Sequence, residues 1–83
     1  MNLQLIQGQF NSKEAIDIIT QMIHVKIKFH ENKINSGSSE EDIKYRESKI
    51  KKLQKDLYEF RKFAEHGDDG LSIQSTIVFE KSN

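Results

Sequence analysis

The side chains best suited to proton transfer or metal ligation near neutral pH are three histidines, His24, His30 and His66. A helical metal pair needs two imidazoles one turn apart, whereas His24 and His30 are six residues apart and leave different faces. His24 falls in a polar row with Glu14, Asp17, Gln21, Lys28 and Glu31, which reads as a solvated face rather than a single-helix metal site with Glu31. His30 falls in a row of isoleucines, where an imidazole reads as an interface position rather than a catalytic base. The segment Glu65-His66-Gly67-Asp68-Asp69-Gly70 gathers three carboxylates and an imidazole that would suit a hard cation. It lacks the alternating oxygens and distal glutamate of a calcium loop, and Asp and Gly are the ordinary residues of turns.

A second chemistry is anion binding. Lys44, Arg46, Lys49, Lys51, Lys52 and Lys55 form a basic run relieved only by Glu47, and Lys44, Lys49, Lys51, Lys52 and Lys55 are the lysines that would touch phosphates. On a helix, however, Lys44, Lys51 and Lys55 leave in different directions from Lys49 and Lys52, with no aromatic stacking platforms read between them. Phosphate-cradling glycine loops, nucleophile elbows, HExxH and CxxC are all absent, so no enzyme, cofactor or metal is expected.

The residues that must position these groups divide into charged and uncharged stretches. Residues 1–12 and 70–79 carry no charged side chain; 24 of the 26 charges lie between them, and Glu80 and Lys81 are the other two. In the later uncharged end, Leu71, Ile73, Ser75, Ile77 and Phe79 alternate with Ser72, Gln74, Thr76, Val78 and Glu80, the pattern of a half-buried strand. In the earlier end, Leu3 and Leu5 share one parity and Ile6, Gly8 and Phe10 the other, which either a bulge near Gln7-Gly8 or cover on both faces of the strand would reconcile.

The charged middle is helical. Asn11 and Glu14 form a capping box, with Phe10 placed to staple onto Ala15. Asn35-Ser36-Gly37-Ser38-Ser39 is a turn in which Gly37 supplies a left-handed residue. Ser38 or Ser39 then caps a second helix whose first turn holds Glu40, Glu41 and Asp42, against the positive end of the dipole. The spacing therefore predicts one α+β domain ordered strand–helix–helix–strand: strand 2–10, helix 11–35, helix 39–66 and strand 71–80. A long antiparallel helical hairpin would carry two short terminal strands forming one sheet.

The second helix has a single heptad stripe, Ile43, Arg46, Ile50, Leu53, Leu57, Phe60 and Ala64. The first has two: Ala15, Ile18, Met22, Val25 and Phe29, and beside it Ile16, Ile19, Ile23, Ile27, His30 and Ile34. Folding the hairpin about Gly37-Ser38 would set Phe60 against Ala15, Leu57 against Ile18, Leu53 against Met22, Ile50 against Val25 and Arg46 against Phe29. The isoleucine stripe then needs another surface.

An 83-residue chain buries only roughly 60% of its unfolded surface and is marginal alone. Without cysteines it has neither disulfides nor thiolate metal sites, which leaves oligomerisation as the staple. The interface expected is Ile16, Ile19, Ile23, Ile27 and Ile34 with Ile73 and Ile77, and the partner is the chain itself, as a homodimer or higher. Zero net charge at 31% charged residues gives no global pull toward nucleic acid or anionic lipid. No apolar run reaches membrane-spanning length, and Met1-Asn2-Leu3-Gln4 does not resemble a signal peptide, so a cytoplasmic location is expected. The leading functional expectation is a small non-enzymatic interaction module whose partners are itself and other proteins. A nucleic-acid-associated regulator using the basic run is the alternative, and a small enzyme or metal binder centred on His66, Asp68 and Asp69 is the third reading.

Overall fold

The computed structural model describes residues 1–66 and 70–82. Its order is β1 (Asn2–Phe10), α1 (Ser12–Asn32), α2 (Glu40–Glu65) and β2 (Leu71–Val78), the α+β strand–helix–helix–strand arrangement that the patterning predicts. The strands pair antiparallel, so the two uncharged ends of the chain close on each other.

Both helices begin where local chemistry starts them. The Asn11 carboxamide oxygen accepts from the Glu14 N–H at 2.8 Å, and Glu14 Oε1 accepts from the Asn11 N–H at 3.0 Å, completing the capping box. Ser39 caps α2 by accepting from the Asp42 N–H at 3.1 Å. α1 stops at Asn32, short of residue 35, because its last turn tightens: the N–H groups of Lys33 and Ile34 donate three residues back, to His30 and Glu31. The interhelical turn does not use a left-handed glycine; Gly8, with φ 154°, is the one glycine of positive φ among the described residues. Side chains build the turn instead. Asn35 Oδ1 accepts from the Gly37 N–H at 2.8 Å, and the Ser38 hydroxyl accepts from the Asn35 N–H at 3.1 Å and donates to the Lys33 carbonyl.

The parity break in β1 is resolved by a bulge, but at Gln4–Ile6 rather than Gln7-Gly8. Leu3 faces Ile77; beyond the extra residue Leu5, Ile6 faces Ser75, Gly8 faces Ile73 and Phe10 faces Leu71. The inserted residue puts Leu3 on the same face as Ile6 and Phe10 and leaves Leu5 outside the pattern, 45% exposed. β2 runs without interruption, its odd-numbered residues half-buried and its even-numbered ones exposed.

Among the described residues the two most fully buried side chains lie at the open end of the hairpin. Ala15 and Ala64 have essentially no exposed surface, and the Ser12 hydroxyl donates to the Ala64 carbonyl at 2.9 Å. Small side chains there let the backbones approach. The register agrees with a fold about Gly37-Ser38, since Ser12 meets Ala64 and His30 meets Arg46. The rotation of α1 differs from the expectation. Val25 is 71% exposed and Phe29 51%, while His30 is buried and Ile16, Ile19, Ile23, Ile27 and Ile34 are each half-buried. The isoleucine–histidine stripe, not Met22–Val25–Phe29, turns toward α2. In this rotation Arg46 of α2's stripe finds a hydrogen-bond acceptor in His30, one residue on from Phe29.

The molecule is extended. Its radius of gyration is 15.8 Å, against about 12 Å for a compact domain of this length. Its breadth of 32 Å far exceeds the ~14 Å that two helices side by side span, so much of the ribbon overhangs the hairpin. What contact exists is chiefly with α1.

Candidate functional site

Two regions concentrate the groups that could act on something outside the chain. The first is a hollow midway along the hairpin, about 170 Å³, lined by Lys26 and His30 of α1 and Lys49, Lys52, Leu53 and Asp56 of α2. His30 anchors it. The heptad stripe of α2 and the isoleucine stripe of α1 bring Arg46 and His30 into register, with Arg46 Nη1 3.0 Å from His30 Nδ1. A guanidinium only donates, so Nδ1 accepts, the ring is neutral and its proton sits on Nε2. Burial depresses the His30 pKa below its ordinary 6.5, and the positive charges of Arg46, Lys26 and Lys49 push it the same way. The ring therefore serves as a structural acceptor between the helices. Asp56 is the one carboxylate lining the hollow, and it bonds Lys52 one turn away at 3.1 Å.

This arrangement divides the basic run. Lys49 and Lys52 line the hollow together with Lys26, which the run in sequence does not include, while Lys44, Lys51 and Lys55 are exposed elsewhere on α2. Aromatic rings do lie among the cations, contrary to the sequence reading. Arg46 and Lys49 sit over Tyr45 at 5.3 and 5.4 Å, Lys33 and Arg46 over Phe29 at 5.4 and 5.8 Å, and Lys62 over Tyr58 at 4.7 Å. These rings are engaged by the chain's own cations and so are less free to stack on bases.

The second region is apolar. Among the described residues no large side chain is fully buried; the buried set is Ala15, Ala64 and His30. Ile73 and Ile77 are half-buried on the ribbon's inner face, beside Leu71 and Phe10. Exposed apolar groups flank both regions: Met22, Val25 and Phe29 on α1, Phe63 on α2, and Met1, Leu3, Leu5, Val78 and Phe79 on the ribbon.

The acidic turn is only partly in view. Glu65 and His66 are exposed, and Asp68 and Asp69 lie outside the described residues. Among the described residues no three His, Asp or Glu side chains gather to hold a metal ion, and no helix is long and apolar enough to cross a membrane. His24 is exposed, as its polar row suggests.

What sequence reasoning missed is the pairing of His30 with Arg46. The signal was there: an arginine inside an otherwise apolar heptad seam needs a polar partner, and the only such group in the facing stripes of α1 is His30. Comparison with protein-family models, with curated proteins and with solved structures finds no match to this chain.

Proposed function

We propose that this protein is a small, non-enzymatic, homo-oligomeric interaction module that completes its fold with a second copy and engages other proteins as an assembled unit. The observation that carries this is area. The chain exposes 6920 Å², whereas a compact monomer of 9.7 kDa exposes about 5100 Å². The excess, roughly 1800 Å², is what one partner gives up in a large obligate interface. No large side chain is fully buried among the described residues, so the stabilising burial that a domain of this size needs is not found within one copy. Ile73 and Ile77, and Ile16, Ile19, Ile23, Ile27 and Ile34, are only half-buried within one copy, which leaves apolar surface for assembly to use. The cysteine-free composition suits a reducing, cytoplasmic setting.

Light scattering at micromolar concentration is expected to give at least twice 9.7 kDa. A single species at the monomer mass would sink the proposal.

A second reading, a nucleic-acid-associated regulator, draws support from Lys26 joining Lys49 and Lys52 at one hollow. It requires binding to duplex or single-stranded DNA or RNA whose log affinity falls linearly with log salt. Absence of binding at low salt removes it. The engaged aromatic rings and the zero net charge weigh toward the first reading.

A further inference from the structure

We infer that the second copy docks on the free edge of β2, antiparallel to its own β2, making one four-stranded sheet in the order β1–β2–β2–β1 across the two chains. The inference rests on the homo-oligomeric reading above and assigns its surface.

Three observations select this edge. The first is charge. The midsection of the hairpin, residues 20–33 and 43–56, holds nine lysines and arginines against three carboxylates. A two-fold copy laid on that midsection would set cation against cation across a low-dielectric interface. The ribbon carries no charged side chain from 1 to 12 or from 70 to 79. Soluble proteins blunt sheet edges with charges, prolines or bulges, and this ribbon has no proline and no charge along either strand.

The second is regularity. β1 carries the bulge at Gln4–Ile6 and the positive-φ Gly8, which break its edge, whereas β2 keeps strict alternation from Leu71 to Val78. A bulged edge is a poor template and an unbroken one a good one.

The third is the direction of the backbone groups. Met1 and Phe79 exchange both hydrogen bonds, 2.7 Å from the Phe79 N–H to the Met1 carbonyl and 3.1 Å from the Met1 amine to the Phe79 carbonyl. Phe79 therefore turns its N–H and C=O toward β1. In an unbroken antiparallel strand these groups alternate sides, so Ile77, Ser75, Ile73 and Leu71 do the same. Ser72, Gln74, Thr76 and Val78 turn their N–H and C=O outward, away from β1. All four residues are exposed, and the sheet has only two strands to offer them. A two-fold copy aligned antiparallel on this edge pairs even residues with even residues. It thereby keeps Leu71, Ile73 and Ile77 of both chains on one face, widening a ribbon that is marginal alone into a sheet with a continuous apolar surface.

Amide hydrogen exchange on the full chain, at a concentration where its mass is that of a dimer, tests this directly. The N–H groups of Ile73, Ser75 and Ile77 are protected by β1 in any case. Those of Ser72, Gln74, Thr76 and Val78 are expected to slow at least tenfold relative to the dilute, dissociated chain. Gln74→Pro deletes an outward N–H and no bond to β1, and is expected to give a 9.7 kDa species with its helical circular dichroism retained. Gln7→Pro, the matching change on β1, is expected to leave the dimer intact. If Gln74→Pro fails to fold, the exchange pattern of the unaltered chain decides. A dimer whose even-numbered β2 amides exchange freely overturns the edge assignment and leaves the homo-oligomeric reading standing. A monomer at all concentrations overturns both.

Discussion

The hairpin and the ribbon solve the same backbone problem in opposite ways. A helix satisfies its N–H and C=O groups within itself, so α1 and α2 need from each other only one packed seam, and their outer faces hold most of the chain's charge. A two-stranded ribbon satisfies only half of its backbone groups and leaves two open edges, and here those edges carry no charge at all. Within one chain the helical backbone is satisfied along its length, whereas the ribbon's outward backbone groups have no partner strand. Ala15 and Ala64 at the junction of the helices have essentially no exposed surface, while Val78 and Phe79 at the end of the ribbon are exposed.

If the junction is the one tightly packed place, enlarging a side chain there should hurt most. Ala15→Leu is expected to cost about 2–3 kcal/mol in denaturant unfolding through overpacking, whereas Ser75→Leu, on the half-covered ribbon face, should leave the midpoint unchanged or raise it. Equal losses would mean that the ribbon is as closely packed as the hairpin. Next is the seam itself: Leu53→Ala is expected to cost about 2 kcal/mol, the low end for a leucine because the side chain is half-buried. Asn11→Ala removes the capping box where ribbon passes into hairpin and should cost about 1 kcal/mol. Lys52→Ala, at an exposed i,i+4 pair with Asp56, should stay within about 0.5 kcal/mol, and a loss as large as that of Leu53→Ala would show the seam to be wrongly phased.

The subtlest difference is pH dependence confined to the hairpin. His30 is neutral in the fold and its pKa lies below the ordinary 6.5, so the unfolded chain takes up the proton first as pH falls. The stability it supports is complete above about pH 6.5 and declines as pH drops through the lowered folded value. Melting temperatures on either side of 6.5 should therefore fall on the acid side, and His30→Gln, which keeps an acceptor for Arg46 but cannot titrate, should flatten the decline. An unchanged slope in that variant would move the acid sensitivity elsewhere.

Much of the fold was legible because its signals are local. Asn11 with Glu14, Ser39 before Glu40-Glu41-Asp42, and the alternation from Leu71 to Val78 each act within a few residues, and each formed the element expected. The parity break in β1 allowed a bulge or a strand covered on both faces, and only pairing with β2 decides for the bulge and for its place; Leu5, opposite no residue, takes the role. The hollow around His30 was not legible, because it depends on the rotation of α1. Two adjacent apolar stripes made two rotations about equally good by periodicity, and the one adopted brings His30 to Arg46.

The sequence by itself determined the order of the elements, the helix starts, the place of the turn and the segregation of charge into the middle of the chain, because capping, alternation and dipole effects all act at short range. Only the tertiary structure decided which stripe of α1 faces α2, which lysines share a hollow, and which edge of the ribbon is left regular and open. Those depend on groups far apart in sequence, such as His30 with Arg46, Lys26 with Lys49, and Met1 with Phe79, whose meeting is fixed by the packing of whole elements and by no local preference.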